Sequence, residues 1–304
     1  DNDPNTPATH QDPTACTPNP NGIIEGANYK KKFMNFKPSF TVAYDVNDNA
    51  NVYAKYVEGF KSGGTSQRSA NPAKFASGFD IEEVSSIELG FKTQLLDSRI
   101  QLNGAIFDMS LDGYQASVQT GYGAGDRDFI PLDDTSIKGV ELDMIAILSE
   151  SLTLTLAYGY LDATNGVEQV TTQTSSGTPQ TTTVVEAVSY APENSASVAL
   201  DYQTETSLGQ LDARLGYTYQ DEAATSLNAA DNIPTDSRGL LDMNITLSGI
   251  TIDDGELSLS LWGKNLTDKE YYLINGGSLA GLGLSPWTTF GDPRTFGLTA
   301  KASF

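Results

Sequence analysis

"TSIKGVELDMIAILSESLTLTLAYGYLDA" spans residues 135–163, and its apolar residues fall on every second position. Val140, Leu142, Met144 and Ala146 alternate with Glu141, Asp143 and Ile145. After the polar "SES" (149–151), Leu152, Leu154, Leu156, Tyr158 and Tyr160 resume the alternation. A period of two puts successive side chains on opposite faces of a strand, whereas a helix repeats every ~3.6 residues. The stretch reads as two strands, about 136–148 and 151–162, joined by a tight turn.

The same pattern extends in both directions. Further strands are expected at about 33–45, 51–60, 84–95 and 99–114 on one side, and at about 194–204, 209–221, 238–248, 255–266 and 293–304 on the other. Their connections alternate in length. "VNDNA" (46–50), "LDSR" (96–99), "SES", "TETSLG" (204–209) and "TIDDG" (251–255) have the Asn, Asp, Gly and Ser content of hairpin turns. The segments 61–83, 115–135, 163–193, 222–237 and 267–292 are long and polar, and 163–193 has room for a small hairpin of its own. Short turns at one end and long loops at the other are the pattern of an outer-membrane barrel. A soluble sandwich has strands of about 5–6 residues and does not sort its loops by end. Strands of about 10 residues match a tilted crossing of the hydrocarbon layer.

Aromatic and polar residues agree with this reading. Tyr158, Tyr160, Tyr217, Tyr219, Phe60, Tyr271 and Tyr272 fall near the long-loop end, where a lipid–water girdle is expected. Glu141, Asp143, Asp212, Arg214, Asp242 and Asn244 lie mid-strand. A dry core would charge several kcal/mol for each without a partner, so the polar face is expected to line a hydrated or plugged lumen.

Composition excludes other classes. The formal net charge of −21 argues against nucleic acid and against an anionic membrane surface as partners. The single cysteine, Cys16, excludes an internal disulfide framework. No run of about 18 apolar residues is present for a transmembrane helix, which leaves a transmembrane strand open.

Eleven strands is an odd number, whereas single-chain bacterial barrels are even, and an open sheet in lipid leaves unpaired edges. Residues 33–304 are therefore expected to be the C-terminal half of a barrel of 22 strands, the size of plugged outer-membrane transporters. Residues 1–32 read as the remainder of an extracellular loop, with a signal peptide and further strands expected upstream.

Several segments resemble the barrel of TonB-dependent outer-membrane receptors. "NVYAKYVEGFKSGG" (51–64) is similar to that family's "YasyskGFksGg" strand, and "EEVSSIELGFKTQLLDSRIQLNGAIFDMSLDGYQ" (82–115) to its "sfElGlK" hairpin. The stretch at 135–163 resembles "s.i.GvElel…lt…aygyldA". "LWGKNLTDKEYY" (261–272) and "FGDPRTFGLTAKASF" (290–304) resemble the closing "v.NLtDk.Y" and "g.PRtygl" segments. The resemblance implies uptake of a scarce ligand: siderophore-bound iron, a vitamin or an oligosaccharide. It also implies an N-terminal plug, a TonB box and the TonB-ExbB-ExbD energy complex as partner, with plug and box outside this chain. A passive porin-like channel and a secreted soluble β-protein or adhesin are the competing readings, and neither these nor the leading one is an enzyme.

Individual residues give weaker signals. Lys61, Arg68, Lys74 and Arg127 sit in long loops, where they would contact an anionic ligand or lipopolysaccharide. "DVNDNANVYAKY" (45–56) resembles a calcium loop but has Ala50 where glycine is needed and Tyr56 in place of the closing Glu, so it reads as a turn. "GYGAGD" (121–126) lacks a phosphate-loop lysine. His10 and Cys16 are too few for a metal site, and no catalytic set or cofactor site is expected. Asn244 and Asn265 fit the glycosylation pattern but lie in or beside strands. Phe296, Leu298 and Phe304 alternate to the last residue, resembling the terminal strand read by the barrel-assembly machinery.

Overall fold

Each long strand pairs antiparallel with its neighbours in chain order, so the computed structural model is one continuous eleven-stranded sheet. The structure describes residues 29–69, 72–119, 127–166, 169–173, 179–184, 187–227, 232–276 and 287–304. In chain order the elements are β1 (Ser39–Asn47), β2 (Ala50–Lys61), α1 (Pro72–Ser77), β3 (Glu82–Leu95), β4 (Ile100–Asp112), β5 (Tyr114–Gln119), β6 (Arg127–Leu132), β7 (Thr135–Ser149) and β8 (Leu152–Thr164). They continue as β9 (Gln169–Gln173), β10 (Pro179–Thr183), β11 (Asn194–Thr206), β12 (Gly209–Gln220), β13 (Arg238–Ile252), β14 (Gly255–Lys264), β15 (Tyr272–Gly276), β16 (Trp287–Phe290) and β17 (Thr295–Ser303). The sheet runs β1-β2-β3-β4-β7-β8-β11-β12-β13-β14-β17, and β5–β6, β9–β10 and β15–β16 are separate hairpins within the long loops.

Register turns the alternation of single strands into two continuous surfaces. Leu95, Ile100, Ala146, Leu154, Leu200, Leu215 and Met243 form one unbroken cross-strand row over seven strands. Three residues along each strand, Lys92, Asn103, Asp143, Ala157, Ser197, Thr218 and Leu240 form a row on the opposite face. The first surface suits hydrocarbon and the second suits water, which is the division a barrel wall needs. The hydrocarbon-facing side chains remain open: Val42 is 71% exposed and Leu298 74%.

Aromatics mark the loop-side boundary of that belt. Tyr56 donates to Glu58 at 2.5 Å, Tyr158 to Asn194 at 2.8 Å and Tyr219 to Asp221 at 2.5 Å. Each ring stays in the apolar belt while its hydroxyl reaches a polar group toward the loops. Tyr271 departs from the expected girdle. It is only 8% exposed, lies against Gly291 and has the Arg238 guanidinium 5.3 Å from its ring centre.

Cross-strand aromatic–glycine pairs flatten the wall. Tyr53 faces Gly90, Phe107 faces Gly139 and Trp262 faces Gly297 on the polar surface. A Cβ on these glycines would meet the rings at 2.4, 2.5 and 2.5 Å, so each ring rests directly on the neighbouring backbone.

The short-turn end is pinned by side chains. Arg99 donates from Nε and Nη2 to Ile147 O at 3.1 and 2.9 Å, and from Nη2 to Leu148 O at 2.8 Å. That ties the β3–β4 turn to the end of β7. In this turn Leu96, Asp97 and Ser98 all have left-handed φ, at 53, 55 and 64°.

Two expectations need correction. The first strand was expected from residue 33 but begins at Ser39. Pro38 has no amide hydrogen to donate, and its carbonyl accepts from Glu58 N at 2.9 Å. Residues 33–38 form a strap instead, with Lys37 2.5 Å from Glu83 and Asn35 donating to the same carboxylate. The long loops also hold more structure than expected. Besides the anticipated hairpin β9–β10, they contain β5–β6, β15–β16 and the short α1. Residues 1–28, with His10 and Cys16, and residues 121–126 lie outside the described residues.

Candidate functional site

Among the described residues, the buried apolar cluster lies in the loops rather than in the wall. A single-layer wall has lipid on one side and lumen on the other, so its side chains have no second layer to pack against. The loops do. Ala116 and Val118 of β5 and Leu132 of β6 are at most 1% exposed, and Val184 joins them at 0% from the β8–β11 loop. Tyr114, Ile130 and Leu227 pack around this cluster, Leu227 from the β12–β13 loop. The alternation of "YQASVQ" supplies the inward face of the hairpin, with Ala116 opposite Ile130 and Tyr114 opposite Leu132.

Polar contacts join the β2–β3 loop to this core. Gln115, 7% exposed, donates to Ser62 O and Asp80 O at 3.1 Å each, and its amide donates to Glu82 at 2.9 Å. Ser66 donates to Arg127 O at 2.5 Å, and Arg127 N donates to Arg68 O at 2.9 Å. Phe79 and Phe129 pack with centroids 4.6 Å apart and their planes tilted by 40°. Tyr190 N donates to Ala224 O at 2.7 Å, linking two further loops. Burial, aided by the Glu82 charge, pushes the Tyr114 phenol above its ordinary pKa. Four loops thus fold together as one cap.

The structure places the basic candidates unevenly. Arg68 and Arg127 meet through their backbones, and Lys74 of α1 lies 3.7 Å from Asp128 of β6, so these three share one patch of the cap. The Asp128 side chain is 7% exposed. Arg127 also reaches Ser117 O at 3.5 Å. Lys61 sits apart at the end of β2, 3.7 Å from Glu82. Phe296 and Leu298 lie on the hydrocarbon-facing surface of β17, and Phe304 follows the strand at 94% exposure.

Sequence reasoning placed residues on the polar wall but missed their cross-strand partners, and it missed one piece of turn chemistry. Tyr53 donates to Glu88 at 2.7 Å, Asn103 donates to Asp143 at 2.8 Å, and Arg214 grips both oxygens of Asp201 at 2.7 and 2.9 Å. Glu88 and Glu141, two strands apart, make no ion pair among the described residues. The turn chemistry centres on Asn265. Asn265 is 3% exposed at φ 48°. Its amide nitrogen donates to Lys269 O at 2.9 Å and Asp292 O at 3.0 Å, and its side-chain oxygen accepts from Lys269 N at 2.9 Å. It joins the end of β14 to the approach of β17. The Asn-Leu-Thr-Asp run carried that signal, read as a family motif and against a glycosylation pattern but not as a turn.

A family described as TonB dependent receptor-like, beta-barrel, matches residues 7–266. The chain belongs to that family. Its strands are those of the outer-membrane β-barrel of the TonB-dependent receptors, as the motifs at 51–64, 135–163 and 261–272 implied. The receptor is similar to the ferric-pyoverdine BN7/BN8 receptor of Pseudomonas putida, 25% identical over 272 residues, covering 88% of this chain and 28% of the relative. It is also similar to the ferric-pyoverdine M114 receptor PbuA of Pseudomonas sp. strain M114, 27% identical over 280 residues, covering 88% of this chain and 29% of the relative. Among solved structures, the ferric yersiniabactin uptake receptor FyuA of Yersinia pestis shares the fold with a TM-score of 0.65 at 17% identity, covering 88% of this chain and 37% of that one. The receptor chain spans under a third of the length of these curated relatives.

Proposed function

We propose that the receptor imports a ferric siderophore across the outer membrane, with energy from the TonB-ExbB-ExbD complex. The observation that carries this is the wall itself: one apolar surface, one polar surface, and a folded cap over the long-loop end. The names of the two Pseudomonas relatives favour iron chelates over a vitamin or an oligosaccharide.

In this reading residues 33–304 are the C-terminal half of a barrel of about 22 strands. Two features support it. The sheet order begins at β1 and ends at β17, so each has a neighbour on one side only. Such edges need strands from elsewhere in the protein before lipid tolerates them. Residues 1–32 then belong to an extracellular loop. Glu141 faces the lumen between Ala105 and Gly159 and makes no ion pair among the described residues, which suits a basic residue of a plug. The cap presents Arg68, Lys74 and Arg127, with Lys61 at its base, to an anionic chelate. Phe296, Leu298 and Phe304 serve recognition by the barrel-assembly machinery, and lipopolysaccharide surrounds the loop-side girdle.

Deleting the gene tests the proposal. Radiolabelled-iron uptake from siderophore complexes is expected to fall in iron-starved cells, and to depend on TonB in complemented cells. A passive channel predicts uptake unaffected by TonB loss, together with steady single-channel conductance from the purified full-length protein.

A further inference from the structure

The strap that leads into β1 reaches back to Tyr29, and its side chains alternate in what they touch. The odd-numbered ones turn to the protein. The Tyr29 ring lies against Gly78, Lys31 pairs with Asp80, and Phe33 covers Gly63. Asn35 donates to Glu83, and Lys37 lies 2.5 Å from Glu83 and 3.8 Å from Glu58. These contacts lean the strap over β2 and β3, away from the open edge of β1. Glu58 holds the Tyr56 hydroxyl, and Glu83 pairs with Phe60, so both acids lie on the hydrocarbon-facing side of their strands. The strap therefore crosses the outside of the wall, starting at the aromatic girdle.

The even-numbered side chains turn away. Phe36 is 86% exposed and Met34 78%. Lys32 and Lys30 are exposed and form no ion pair among the described residues. From the girdle outward the order is aromatic, thioether, cation, cation, continuing from the hydrocarbon-facing Val42 and Phe40 of β1. That order follows the polarity of an outer leaflet from acyl chains to headgroups. The charge is local as well. Four of the 18 Lys and Arg in a chain of net charge −21 stand at positions 30, 31, 32 and 37. Lys31 and Lys37 offset the acids beneath the strap, and Lys138 lies 3.6 Å from Asp108 on the neighbouring strands. Lys30 and Lys32 are left as an unspent pair of cations beside an apolar edge.

We propose that this strap docks a phosphorylated glycolipid of the outer leaflet. The lipid phosphates take the ammonium groups of Lys30 and Lys32, and its acyl chains pack on Met34, Phe36 and Phe40. The proposal deepens the reading that lipopolysaccharide surrounds the loop-side girdle, and rests on it, by naming the segment that holds one molecule.

Native mass spectrometry of the detergent-extracted full-length receptor, titrated with diphosphoryl lipid A, tests it. A lysine at an anionic lipid surface is worth about fivefold in affinity, so Lys30→Gln with Lys32→Gln is expected to weaken binding about 25-fold. Arginine at both positions is expected to retain binding, because the charge is kept. Met34→Ser with Phe36→Ser is expected to weaken it about tenfold. These variants alter exposed side chains, so the heat-modifiable mobility of the barrel on gels is expected to be unchanged. Dephosphorylated lipid A is expected to bind about 25-fold more weakly than the diphosphoryl form. Equal binding of the two would overturn the phosphate assignment, and displacement of lipid A by inorganic phosphate would overturn the acyl contacts. Resistance of Lys30 and Lys32 to acetylation in the lipid-free receptor would place a protein segment over the strap and overturn the lipid occupant. Wild type and a folded Lys30→Gln, Lys32→Gln variant that bind lipid A alike would overturn the strap alone. A wild type that binds no lipid A would overturn the girdle reading with it, so the two can fail separately.

Discussion

Replacing Asn265 by alanine is expected to loosen the loop-side end of the last two strands. The side chain makes three hydrogen bonds at 2.9–3.0 Å from a position 3% exposed. At about 0.5–1.5 kcal/mol each, their loss costs roughly 3 kcal/mol. Alanine at φ 48° adds about 1 kcal/mol, because a left-handed residue with a Cβ is strained and asparagine tolerates it better. Asn265→Ala is therefore expected to lose about 4 kcal/mol. Asn265→Gly loses the same bonds without that strain and is expected to be milder by about 1 kcal/mol. Asn265→Asp keeps the bond from Lys269 N but turns an anion toward the Lys269 and Asp292 carbonyls, so it is also expected to destabilise. Urea unfolding of the detergent-solubilised receptor, followed by intrinsic fluorescence, gives the order. Limited proteolysis between residues 265 and 294 localises the effect. An alanine variant within about 0.5 kcal/mol of wild type, or a glycine variant worse than alanine, would refute the latch.

Other consequences are open to similar checks. Gly90→Ala is expected to cost about 1–3 kcal/mol, since its Cβ would lie 2.4 Å from the Tyr53 ring, while Gly216→Ala is expected to stay within about 0.5 kcal/mol; paired urea titrations compare them. Val118→Asp places an unpaired charge in the cap core and is expected to expose residues 113–134 to protease while barrel heat-modifiability is unchanged. The Asp221 carboxyl is held below its ordinary value of 3.8 by the Tyr219 hydroxyl first and Asn194 next. Its native contribution is thus present above that value and fades as pH falls through the lower folded value. Protease resistance of the β11–β12 loop-side ends is expected to be flat from pH 7 to 5. It is expected to decline below about pH 4, with Asp221→Asn removing that acid-sensitive component.

The wall was legible because membrane and lumen impose a two-residue period along strands such as β7, β8 and β12, and the long loops interrupt it cleanly. Strand ends were less legible where one residue decides. Pro38 stops β1 from extending upstream, and Asn265 at positive φ ends β14 two residues before the alternation of "LSLSLWGKNL" suggests. The cap was nearly illegible. Its core joins Val118, Val184 and Leu227, which are far apart in sequence and carry no shared period. Glu88 and Glu141 were visible as polar-face residues, but register was needed to place them two strands apart on one wall. Gln115 was visible only as a polar residue near a strand end, because its partners are backbone carbonyls of another loop.

The shared core of the cap has a consequence for how such a receptor changes over generations. Loops that packed independently would let one segment drift while the others stayed constant. Here a substitution at Val184 or Leu227 is felt by the β5–β6 hairpin, and a change in that hairpin is felt at Ser66 and Arg68. New specificities are then expected to be inherited as compatible sets of loops. Grafting the cap between receptors should succeed as a block and fail piecemeal.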